Sequence, residues 1–163
     1  MISIQRCSGA TLLLLVLLCL LPGCGGTAKA PVEELVPASG EIQLDGKPAG
    51  GVFIRLLPIG ETTKTVGGAW AVTKDDGTFT VTHWSGKEGI TPGSYQITFS
   101  KLVKPDGSPL GENDSPMMVN AKETIAPRWS TPEADKLSVR RRVDIPKEGK
   151  DDIKFSITSA PKK

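Results

Sequence analysis

Along most of the chain apolar and polar residues alternate one by one, the period of a strand with one buried face. Ile42 and Leu44 alternate with Glu41 and Gln43, and Asp45-Gly46 then signals a turn. Val52 to Leu57 is more continuously apolar, as a strand covered on both faces would be. Gly67-Gly68 introduces a short strand, Ala69 to Lys74, with Trp70 and Val72 on one side. After the turn Asp75-Asp76-Gly77, the stretch Thr78 to Trp84 sets Phe79 and Val81 against threonines. Pro92-Gly93 turns the chain into Ser94 to Val103, where Tyr95, Ile97 and Phe99 alternate with Gln96, Thr98 and Ser100. Leu137 to Ile145 and Asp152 to Thr158 repeat the pattern, joined through Gly149. No stretch after the first apolar run has helical periodicity. About seven strands separated by turn signals predict an all-β, antiparallel β-sandwich over residues 38–160.

Residues 104–132 break the rhythm. They carry Pro105, Pro109, Pro116, Pro127 and Pro132 and few periodic apolar residues. Such a long connection is usually functional or disordered.

The start of the chain has a different pattern. Arg6 precedes a nearly unbroken apolar run, Leu12 to Leu21. That run is shorter than the roughly 20 residues a bilayer crossing needs, and it fits the apolar region of an export signal. It closes on Leu21-Pro22-Gly23-Cys24, which resembles the lipobox of bacterial lipoproteins, although Pro22 departs from the usual residue there. The resemblance implies cleavage before Cys24 and lipidation of its thiol, with acyl chains of the palmitate class, so residues 1–23 are a signal peptide. Two or more acyl chains hold a protein stably on a membrane. Gly25, where that family places aspartate for inner-membrane retention, points toward the outer membrane. Residues 24–37 read as a flexible tether, with Gly25-Gly26, Pro31 and Pro37 blocking regular structure. Extended, such a segment reaches about 40 Å. Cys7 and Cys19 leave with the signal and Cys24 carries lipid, so the domain lacks a thiol nucleophile, a disulfide and a thiolate zinc site. The net charge of the whole chain is only +2, which gives no footprint for nucleic acid.

An ordered set of motifs runs through the first half of the domain: Ser39-Gly40-Glu41-Ile42, Asp45-Gly46-Lys47-Pro48, Gly51-Val52-Phe53-Ile54, Asp76-Gly77-Thr78-Phe79 and Pro92-Gly93-Ser94-Tyr95. The set resembles the carboxypeptidase regulatory-like domain, covering Ser39 to Lys101 well and the last two strands loosely. The resemblance implies a seven-stranded Greek-key sandwich of the transthyretin (prealbumin) kind. It also implies a non-catalytic module, and it supplies no catalytic residues.

Candidate chemistry is sparse. His83 is the sole histidine, so a two-histidine metal site is excluded, and no G-x-S-x-G elbow accompanies it. At the end of a strand it reads as a rim residue. Asp106, Glu112, Asn113 and Asp114 gather oxygens in one loop, yet their spacing fits no EF-hand and Asp106-Gly107 is a plain turn sequence. No metal and no cofactor are expected. Of the three tryptophans, Trp70 reads as core and Trp84 as a cap at the core's end. Trp129 sits in the polar loop, either plugging it onto the sandwich or meeting a ligand. Met117-Met118-Val119 reads as an anchor for the same loop. Arg140-Arg141-Arg142 interrupts a strand; alternation turns Arg140 and Arg142 outward and Arg141 toward the apolar side, a conflict that a bulge or sheet edge would relieve. Trp84, Trp129, Arg140 and Arg142 are therefore the candidate ligand or partner contacts, beside Cys24 for lipid.

The expectation is an exported envelope lipoprotein, tethered through Cys24 to the cell membrane or outer membrane, with its domain in the periplasm or at the cell surface. It is expected to act without catalysis, binding or scaffolding an envelope protein or polysaccharide. The alternative is a carbohydrate-binding module working through exposed tryptophans. A hydrolase has no supporting motif.

Overall fold

A computed structural model of the chain describes residues 34–60, 67–111, 113–131 and 141–161, and their regular structure is almost entirely β. The strands are β1 (Ala38–Leu44), β2 (Lys47–Pro48), β3 (Phe53–Pro58), β4 (Ala69–Val72), β5 (Thr78–Thr80), β6 (Thr82–His83), β7 (Gly93–Ser100), β8 (Leu102–Val103), β9 (Lys122–Glu123), β10 (Arg142–Ile145) and β11 (Lys150–Ile157), with one helical turn, α1 (Pro127–Ser130), before β10. The expected signal peptide and most of the expected tether, the loop 61–66 and the start of the last-but-one expected strand lie outside the described residues.

Two sheets enclose the core. One runs β10-β7-β3-β4-β6, and the other joins β11, β1 and β2, with β5 also paired to β1. Ile42, Ile153 and Ile157 from the second sheet meet Ile54, Leu56, Ile97 and Phe99 from the first in one buried cluster. The fold is therefore sandwich-like and all-β. The pairing is not antiparallel throughout, because β1 and β11 run parallel. Alternation fixes which face of a strand is buried but not its direction, so the sequence carried no sign of this pair. It arises because the Pro146–Gly149 turn carries the chain from β10 in one sheet to β11 in the other, alongside β1.

The expected strand Thr78 to Trp84 divides at Val81. Its first part pairs with β1 as β5, and its second pairs with β4 as β6. Val81 is fully buried where the chain changes sheets, and its N–H donates to the Ala38 carbonyl. A strand that passes from one sheet to the other makes a corner of the sandwich.

Several motif residues have visible jobs. Asp45 (φ 53°) and Gly46 (φ 79°) take the left-handed conformations that a tight two-residue hairpin needs. The buried Thr73 hydroxyl donates to the Ala49 carbonyl at 2.6 Å and accepts from the Val52 N–H at 2.9 Å, pinning the turn that leads into β3. Tyr95 is fully buried, and its hydroxyl donates to the Thr91 carbonyl at 2.7 Å.

The excursion after β7 is more ordered than its prolines suggested. β8 and β9 pair with each other, and the Ile125 segment bridges antiparallel to Ser159. Trp129 on α1 lies edge-on to Phe99, ring centroids 6.2 Å apart, and its indole N–H donates to the Thr158 hydroxyl. Local proline and glycine content hid this order, because what fixes the loop is contact with distant strands.

Candidate ligand-binding face

The outer face of the five-stranded sheet gathers the exposed aromatic rings. In β3, Ile54 and Leu56 point into the core, so Phe53 and Arg55 point out. In β4, Ala69 and Ala71 are buried, so Trp70 and Val72 face outward. Trp70 is thus not a core residue as its hydrophobicity suggested; the two alanines fill the narrow interior under β4. Antiparallel register sets Arg55 opposite Trp70 and Phe53 opposite Val72. Phe53 and Trp70 lie with centroids 6.2 Å apart and planes 18° from parallel. The Arg55 guanidinium sits 5.9 Å from the Phe53 ring centre, within cation–π range.

Trp84 extends this line. Thr82 pairs with Trp70, and Trp84 follows two residues later, its N–H donating to the Gly68 carbonyl. Its indole nitrogen lies over Gly68, where a Cβ would come within 2.1 Å of it. Gly68 and Trp70 share a face, so Trp84, Trp70 and Phe53 form one row of rings. From Gly68 to Val72 this row spans about 13 Å at strand rise. Trp84 is 52% exposed, while Trp70 and Phe53 are half-buried.

At the Val72 end the row opens into a groove of about 530 Å³. Gly50, Gly51, Val72 and Asp75 form its sheet side. Lys101, Leu102, Pro109 and Leu110 form the other wall. Pro109 and Leu110 belong to the long excursion, so the insertion builds part of the groove. Its hairpin is held by Asp106, whose carboxylate accepts from the Ser108 N–H and hydroxyl, and by the Lys104–Asp114 ion pair at 2.8 Å.

The expected contacts fall in three places. Trp84 and Arg142 reach the outer face just described, Arg142 three strands from Trp70, opposite Gln96. Arg142 bonds the Ser94 hydroxyl and the Asp144 carboxylate, which in turn accepts from Ser94. Trp129 lies elsewhere, half-buried against the core. Cys24 and Arg140 lie outside the described residues. Arg141 is wholly buried and donates to the Thr131 carbonyl at 3.0 Å. It lies just before β10, turned inward as alternation with the exposed Arg142 and the buried Val143 expects. Met117 and Met118 are 87% and 82% exposed, so neither anchors the loop as expected.

His83 is 6% exposed and faces inward, not at the rim. Its Nδ1 lies 2.9 Å from the Ser85 hydroxyl and also accepts from the Ser85 N–H at 3.3 Å. This is a local turn contact between residues two apart. Sequence reasoning missed Phe53, Arg55 and Trp70. The signal that could have found them is the alternation of β3 and β4 read together, with the alanines assigned inward.

Among the loop oxygens, Asp106 and Asp114 are already engaged by Ser108, Gly111 and Lys104. No group of three or more metal-ligating side chains occurs among the described residues. The Lys104 hydrogen bond and charge hold Asp114 below its ordinary pKa of 3.8. Hydrogen bonds from Ser108 and from Thr78 likewise lower Asp106 and Asp76. A lowered carboxylate stabilises the fold above the unfolded-state value and loses that contribution as pH falls through the folded one. The melting temperature is therefore expected to drop as pH is taken below about 4, and Asp76→Asn should blunt the drop; an unchanged acid profile in that variant would disprove the assignment.

No protein-family model matches the chain, and no curated protein does. No helix among the described residues is long and apolar enough to cross a membrane. A solved structure similar to the chain is that of a DUF3823 family protein from Parabacteroides merdae, at 11% identity and a TM-score of 0.34. The match covers 77% of this chain, which spans 46% of that protein.

Proposed function

We propose that this is an exported envelope lipoprotein, tethered through lipid on Cys24, whose domain is a non-catalytic binding module. In this reading residues 38–160 form a seven-stranded, Greek-key sandwich of the transthyretin-like, carboxypeptidase regulatory-like kind. The longer strands β1, β3, β4, β7, β10 and β11, with the β5–β6 segment as the seventh, support that count. So does the buried Tyr95 bonded to the Thr91 carbonyl four residues upstream, a device of Greek-key sandwiches. His83 serves to hold a turn. The single observation that carries the binding role is the row of rings on a solvent-facing sheet, leading into a groove walled in part by the insertion. Aromatic surface beside a few placed polar groups is the usual make-up of a recognition site.

The test uses the full chain in bacterial cells fed an alkyne palmitate. The wild type is expected to take up label and sediment with membranes, and Cys24→Ser to lose both. A photo-crosslinker at position 72 is expected to trap a partner, while one at position 80 on the opposite sheet traps none. Label persisting in Cys24→Ser would refute the anchor; equal trapping at the two positions would refute the face.

A further inference from the structure

We infer that the ring row and groove bind a glycan chain, laid along Trp84, Trp70 and Phe53 with its end in the groove beside Asp75 and Lys101. This inference rests on the binding-module reading and gives it a ligand class. A pyranose ring has a flat face of C–H bonds and an edge of hydroxyls. The sheet offers matching elements on one face: near-parallel rings for the apolar side of the sugar, and Arg55, in register with Trp70, for its hydroxyls. In the groove, Val72 and Leu110 supply apolar contact while Asp75 accepts and Lys101 donates hydrogen bonds.

Other ligand classes fit the same surface less well. A peptide added as a strand needs a free sheet edge, whereas Phe53 and Trp70 stand on a face whose strands are paired on both sides. An acyl chain needs an enclosed apolar tunnel, and this groove has charged Asp75 and Lys101 in its lining. A nucleic acid needs a basic field, and the whole chain has a net charge of only +2. Neutral glycans and those carrying uronate groups share the pyranose face, and Arg55 is the residue that tells them apart.

The experiment titrates the purified full chain with xylan and laminarin as neutral probes and with polygalacturonate as the acidic one. Binding is read by calorimetry and by affinity gel electrophoresis. At least one probe is expected to bind. Trp70→Ala and Leu110→Asp, each checked for an intact melt, should weaken it roughly tenfold or more, the scale of a buried aromatic anchor. Thr80→Ala on the opposite sheet should not. Loss of polygalacturonate binding in Arg55→Ala, with xylan binding kept, would assign a uronate ligand. The converse pattern would assign a neutral one. Binding that survives both folded variants would overturn the inference. So would no binding by any probe: if the position 72 crosslinker still traps a partner, the glycan assignment falls alone, and if it traps none the binding-module reading falls too.

Discussion

Gly40→Ala is expected to cost about 3 kcal/mol or more of folding stability, and to cut the yield of folded protein. A Cβ at this position would lie 1.9 Å from the Ile153 carbonyl oxygen and 2.8 Å from the Ile153 Cβ. Both are far inside van der Waals contact, and both belong to Ile153, which is buried in the core and cannot swing away like a flexible side-chain tip. Gly40 also sits where the β1–β11 register shifts: two residues from Ala38 to Gly40 oppose three from Lys150 to Ile153. The glycine lets the two backbones close over that bulge. Gly46→Ala is the informative comparison. Nothing lies within 4 Å of its Cβ, so only the left-handed backbone is penalised, by about 1–2 kcal/mol. Urea unfolding of the two variants should rank Gly40→Ala well below Gly46→Ala. Equal midpoints would show that the β1–β11 approach is looser than described.

Phe99→Ala is expected to lose about 3–5 kcal/mol, the range for removing a fully buried aromatic ring. Phe99 is 1% exposed and sits between Phe155, with centroids 5.3 Å apart, and the edge-on Trp129. Its removal leaves a cavity and also loosens α1, which then rests mainly on the hydrogen bonds of Trp129 and Arg128 to the Thr158 hydroxyl. The tryptophan emission should shift to the red in the still-folded variant, and Phe99→Leu should recover most of the stability. A loss under about 1 kcal/mol with unchanged emission would mean the loop is held by something other than this ring contact.

The strands were legible because each presents one apolar face, and period-two alternation reports that directly. Ile97, Phe99, Ile153 and Ile157 are buried as their spacing requires. What failed was the assignment of a face where both sides carry apolar residues. In β4 the alternation Ala69, Trp70, Ala71, Val72 is consistent with either side inward. Size favoured Trp70 for the core, but the interior there is narrow enough for alanine. That one inversion hid the best part of the candidate site. The loop contacts were illegible for another reason. Trp129 docks on Phe99 and Thr158, residues 30 and 29 positions away in the sequence, and no local pattern encodes such pairings. Arg141, by contrast, was turned toward the apolar side by alternation, and it is wholly buried just before the edge strand β10.

The parallel pairing of the first and last long strands has a mechanical consequence. β1 begins, and β11 ends, at opposite ends of their shared ladder. A pull applied between the chain before Ala38 and the chain after Ile157 therefore acts along that ladder. It shears the rungs from Ala38–Lys150 to Leu44–Ile157 together, where an antiparallel pair loaded at one end would unzip rung by rung. A domain with this arrangement resists tension along its own length, which suits a module held at one end and loaded at the other.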